Sequence, residues 1–159
     1  MVEIELEVLV ETDPPDGFDS EQLGALVSFV LSHGGPADAR WTLAVVLTDD
    51  ERLRALHRDH MGLDTETDVM TFPCSGEPEA DGDWGGDVVL SVERAAAQAP
   101  EFGHSAQDEV RFLVVHGLLH LCGWDDGTDD ARAAMLDEQA RLIALFDNLP
   151  PSLPNEGRT

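Results

Sequence analysis

His116 and His120 stand four residues apart in the run Leu113-Val114-Val115-His116-Gly117-Leu118-Leu119-His120-Leu121-Cys122-Gly123-Trp124-Asp125-Asp126. In an apolar segment of helical periodicity this spacing sets both imidazoles on one face of a helix. Gly123 stops the helix, because glycine readily takes the left-handed conformation that ends helices. The chain can then fold back and bring a third donor beside the two rings, and Asp125 and Asp126 are the first candidates. Two helix-borne nitrogens, one further ligand and an open coordination position are how a catalytic zinc site is built. A pair of imidazoles left unpartnered on a buried stripe would be costly, which favours the metal over two satisfied core histidines. The zinc-protease signature has its general-base glutamate directly after the first histidine. Gly117 stands there, so a peptidase of that kind would lack its base. Gly117 instead leaves room beside the metal for another helix or a substrate backbone. Metal-assisted hydrolysis of a phosphodiester fits what remains, with the ion as Lewis acid and water activator.

The elements that must position this site follow from periodicity. Val2 to Val10 alternates as a half-buried strand, and Asp13-Pro14-Pro15-Asp16-Gly17 breaks it. Asp19 or Ser20 caps a helix striped by Leu23, Leu26, Val27, Val30 and Leu31, which His33-Gly34-Gly35-Pro36 ends. Trp41 to Leu47 reads as a buried strand, and Thr48-x-x-Glu51 as a capping box that opens a short helix to about His60. Residues 68–72 read as a short strand, 75–85 as an acidic glycine-bearing loop, and Asp87 to Ser91 as a further strand. An alanine-rich helix bounded by Pro100 comes next. Ser105 and Asp108 start the histidine helix, which runs to Cys122. Thr128 with Asp129 and Asp130 opens a last helix whose Met135, Leu142 and Phe146 face the core. The mixture, with no regular βαβ series, predicts an α+β single domain: a small mixed sheet packed with helices, the metal-binding helix central. The domain spans 1–147, and 148–159 is expected to be a disordered, proline-containing tail.

The histidine segment resembles the signature of the YbeY family, bacterial endoribonucleases of ribosomal RNA maturation, which reads His-Gly-x-Leu-His-Leu-x-Gly-Tyr/Trp-Asp-His. Two further blocks stand in the family's order and spacing. Thr67-Asp68-Val69-Met70-Thr71-Phe72-Pro73 is similar to its Pro-Thr-Asp-Val-Leu-Ser-Phe-Pro, with Glu66 in place of proline. Gly86-Asp87-Val88-Val89-Leu90-Ser91 is similar to its Gly-Asp-Ile-x-Ile-Ser strand. The resemblance covers about residues 2–147 and implies a zincin-like fold and one zinc ion per chain. The implied ligands are His116, His120 and, at the family's third histidine position, Asp126, with Asp125 structural. A carboxylate binds zinc at nearly the distance of an imidazole but adds a negative charge, making the ion a weaker Lewis acid. A second departure is Met61, where the family often has arginine, so a phosphate contact is missing.

RNA as substrate comes from the resemblance and not from the spacing. It implies a zinc-dependent, single-strand-specific endoribonuclease in ribosomal RNA processing, maturation and ribosome quality control, with ribosomal RNA and the ribosomal small subunit as partners and no DNA. Asp126 and Met61 keep a second class open: a ribosome-biogenesis binding factor of the same fold with weak or lost nuclease activity. A third, a metal-dependent hydrolase of a small substrate, is supported only by charge. The 159 residues carry a net charge of -24, and all nine basic residues are arginine. That charge opposes nucleic-acid binding, which relies on a basic footprint. Screening beyond about 10 Å leaves room for a locally positive cleft, so weak RNA affinity is expected.

Other chemistry-bearing residues read more plainly. Glu109 is expected to be a solvated first-turn carboxylate favoured by the helix dipole. Asp87 and Ser91 are a turn residue and a helix cap unless they line the cleft. Arg58 is a substitute phosphate contact or a solvated arginine, while His57 and His60 lack a third donor and are expected at the surface. Cys122 points away from the histidine face as a small core residue. Cys74 and Cys122 show no metal or redox spacing, and Met1 to Glu5 lacks the basic and apolar stretches of a signal peptide. No run is long enough to cross a membrane. A reducing cytoplasm is the expected location.

Overall fold

The computed structural model describes residues 2–62, 67–73, 83–124 and 126–149. Cys74, Glu66, Asp125, most of the acidic loop and the tail from Pro150 lie outside the described residues. The element order is β1 (Glu3–Val10), α1 (Ser20–Gly34), β2 (Arg40–Thr48), α2 (Asp50–Met61), β3 (Val69–Pro73), β4 (Asp83–Ser91), α3 (Val92–Phe102), α4 (Ala106–Leu121) and α5 (Asp129–Asp147). The expected α+β class holds, with one mixed sheet of order β1-β2-β4-β3. β1 and β4 both run parallel to β2, and β3 pairs antiparallel with β4 at the other edge. The first parallel pairing makes β1-α1-β2 a βαβ unit.

Alternation decides which face each strand buries. Trp41, Leu43, Val45 and Leu47 of β2, with Val88 and Leu90 of β4, join the main core beneath α1, α4 and α5. Val89 and Met70 point the other way and pack with Leu53 of α2. Along the edge strand β1, Ile4, Leu6 and Val8 face the core while Glu3, Glu5 and Glu7 are exposed. Charges on an edge of this kind discourage pairing with another chain.

Local signals shift some boundaries. Thr48 does not cap α2: it is buried as the last residue of β2, opposite Ser91. The next residue, Asp49, accepts the Arg52 N–H and is the cap. Pro100 lies inside the last turn of α3 instead of ending it, and Gly103 at φ 74° closes that helix. β4 begins four residues before the expected Asp87, because Asp83, Trp84 and the two glycines pair with Arg40 to Leu43. Composition alone reads such a stretch as loop.

α4 carries the histidines and is apolar over most of its circumference, the pattern of a fully surrounded helix. Val110, Leu113, Val114, Val115, Leu118 and Leu119 are all buried. Gly117 lets this helix lie close on the sheet. A Cβ there would come 2.8 Å from Val88 Cγ1 and 3.2 Å from both Val88 Cγ2 and Thr71 Cγ2. The room expected beside a metal is therefore taken by β3 and β4. Gly117→Ala gains up to about 1 kcal/mol of helix propensity, but a buried valine has no rotation that relieves two methyl contacts at once. A net destabilisation of about 1–2 kcal/mol is expected from overpacking, measurable by urea unfolding. An unchanged or raised midpoint would show that α4 can lift off the sheet freely.

Candidate metal centre

The last turn of α4 ends in a tight backbone pattern. Gly123 N–H donates to the His120 carbonyl and Trp124 N–H to the Leu119 carbonyl, at 3.0 and 2.9 Å. Gly123 takes φ +105°, where a side chain would be strained. The chain turns back here, and Asp126 returns to the histidine face. Its Oδ2 lies 3.5 Å from His116 Nε2 and 3.5 Å from His120 Nε2. The two rings meet edge to face with centroids 4.8 Å apart.

These three donors are the group, among the described residues, able to hold a metal ion, and their ligand atoms lie within 4.8 Å of one another. Zinc bonds of 2.0–2.2 Å in a tetrahedral array separate neighbouring donors by about 3.4 Å. The two imidazole–carboxylate separations already have that value, and they are too long for good hydrogen bonds. Donor chemistry and spacing both suit zinc. The side chains are 18%, 29% and 29% exposed, so the cluster opens to solvent on one side.

A family model described as endoribonuclease YbeY matches residues 13–147. The chain belongs to the YbeY family. A relative named endoribonuclease YbeY from Symbiobacterium thermophilum is 42% identical over 109 residues, covering 65% of this chain and 70% of its own. Another of that name from a Nitratiruptor species is 34% identical over 148 residues, or 93% and 92% of the two chains. The solution structure of TM1509 from Thermotoga maritima is 24% identical, with a TM-score of 0.56 over 92% of this chain and 89% of that one. It supports the fold. Membership of YbeY places the chain among endoribonucleases, hydrolases that act on RNA.

Around these three donors the remaining residues separate clearly. Glu109 is not a solvated carboxylate: it is 1% exposed. His104 Nε2 lies 2.6 Å from its Oε1, and Gln98 Nε2 donates to its Oε2 at 2.9 Å. Gln98 also reaches Asp68 at 3.4 Å, so this cluster ties α3 and α4 to the start of β3. Ser91 is the cap of α3, accepting the Arg94 N–H and donating to Asp50. Asp87 is exposed on β4. Arg58 is exposed and pairs with Asp59, and His60 sits edge-on to Phe72. Neither His57 nor His60 joins a metal-ligand group among the described residues. Burial pushes the Cys122 thiol up to about 12, which keeps it protonated at neutral pH and so a poor ligand.

Sequence reading missed Gln139. It is fully buried in α5, its Nε2 donates to the Phe112 carbonyl at 3.0 Å, and its Oε1 lies 3.0 Å from His116 Nδ1. The signal was a polar residue on the Met135–Leu142 stripe, at the spacing of two buried neighbours.

Proposed function

We propose that this chain is a zinc-dependent, single-strand-specific endoribonuclease of ribosomal RNA processing, maturation and ribosome quality control. It would act in the cytoplasm on RNA of the ribosomal small subunit, with residues 1–147 as the catalytic unit. The observation that carries the reading is the carboxylate of Asp126 at equal distance from two helix-borne imidazoles, in a chain of this family. His116 and His120 would hold the ion through Nε2 and Asp126 through a carboxylate oxygen, with one position left on the open side. When bound, the ion supplies a Lewis acid and water activation for phosphodiester hydrolysis. Gly117, pressed against Val88 and Thr71, leaves no space for a protease-type base after the first histidine. The charge of -24 argues for weak association with a shallow salt dependence, and against a broad electrostatic footprint on RNA. Among the described residues no helix is long and apolar enough to cross a membrane.

Zinc-loaded protein is expected to cut single-stranded ribosomal RNA fragments and spare duplexes, to lose activity on chelation, and to regain it with zinc. Cleavage indifferent to chelation would remove the metal from the mechanism. RNA binding without cleavage by zinc-loaded protein would favour the binding-factor reading, to which Asp126 in the third ligand position lends weight.

A further inference from the structure

We propose that Gln139 is the positioning residue of the metal centre, selecting the tautomer of His116 that leaves Nε2 bare. The proposal rests on the reading of His116, His120 and Asp126 as metal ligands. Its basis is the order in which hydrogen bonds are determined. The Phe112 carbonyl can only accept, so the carboxamide must turn its NH2 group towards it, as the 3.0 Å contact requires. The opposite orientation would press two oxygens together. With Nε2 committed, Oε1 is the atom facing His116 Nδ1 at 3.0 Å. An amide oxygen can only accept, so the imidazole proton sits on Nδ1 and donates to it. The neutral ring then carries a lone pair on Nε2, the atom 3.5 Å from the Asp126 carboxylate. Two acceptors facing one another repel unless a cation lies between them.

Gln139 cannot easily do otherwise. It is fully buried on α5 between the buried Met135 and Leu142, so neither water nor a rotamer change replaces its two contacts cheaply. Outer-shell partners of this kind orient a ligating imidazole and raise its basicity. A glutamate would accept from His116 more strongly but would set a carboxylate oxygen against the Phe112 carbonyl. The amide satisfies both neighbours with no buried charge.

Two measurements test this. Nitrogen NMR of the metal-free wild-type protein should find neutral His116 protonated on Nδ1, and His116 protonated on Nε2 would overturn the proposal outright. Zinc titration against a competing chelator should show Gln139→Leu weakened about 10–100-fold, its His116 losing the Nδ1–H form. Gln139→Glu keeps the acceptor and should bind zinc within tenfold of wild type. Thermal melting separates loss of the fold from loss of the contact. Zinc held equally by wild type and folded Gln139→Leu would overturn the positioning role alone. Wild-type protein that takes up no zinc, with His116 still protonated on Nδ1, would overturn the metal reading and with it the purpose of the contact. If Gln139→Leu fails to fold, the wild-type spectrum still decides the tautomer on which the proposal stands.

Discussion

His116→Ala and His120→Ala are each expected to take the purified protein from about one zinc per chain to none, and to abolish cleavage of single-stranded RNA. With three protein donors, losing one leaves a two-ligand site that competes poorly with solvent. The loss should exceed the about 10–100-fold that a change behind the ligands costs. The fold should survive. Both rings are partly exposed and alanine is the best helix former, although His116→Ala also leaves the buried Gln139 Oε1 without its partner, a cost of about 1–3 kcal/mol. Elemental analysis beside a urea melt therefore separates ligand loss from unfolding. His57→Ala is the control, since His57 joins no metal-ligand group among the described residues, and it should keep its zinc. If either α4 variant retains a full complement of zinc, the ion binds elsewhere and the site is wrongly assigned.

Much of the fold was legible because burial leaves a period. The alternation of Ile4, Leu6 and Val8, the stripe of α1 and the apolar girth of α4 all predicted the faces that are buried. What escaped depends on contacts between elements distant in sequence. Glu109 sits in a first helical turn whether it is solvated or buried. Only the convergence of His104 before α4 and Gln98 from α3 decides between the two. The beginning of β4 was hidden because glycines and acids pair with β2 as strand only when β2 is already there. The cap of α2 failed by one residue for a local reason: Thr48 and Asp49 are adjacent, and the sheet claims the first. At the site, the i, i+4 histidines were legible from spacing. The return of Asp126 needed the positive φ of Gly123, which a glycine permits but does not dictate. Gln139 was visible as a polar intrusion on an apolar stripe, but its partner lies 23 residues away.

Exchanging Asp126 should move zinc affinity in both directions. Asp126→Asn replaces a charged oxygen donor with a neutral amide that binds zinc poorly, and at least a tenfold loss is expected, about 1.4 kcal/mol. Asp126→His supplies an imidazole, a borderline donor well suited to zinc, and affinity should rise by about the same factor. A neutral ligand also leaves more charge on the ion, so cleavage of single-stranded RNA at neutral pH should become faster than in the wild type. Asp125→Asn is the comparison and should change affinity little; the reverse order would transfer the ligand role to Asp125. The gain with histidine is the more demanding outcome, because an imidazole is longer than a carboxylate. The segment after Gly123 now brings Oδ2 within 3.5 Å of both nitrogens, and the longer side chain must find room by moving that segment outward. An Asp126→His protein with weaker zinc binding would mean that the turn is shaped around the shorter side chain. Tighter zinc binding without faster cleavage would place the limitation on RNA contact, where a chain of net charge -24 has least to offer.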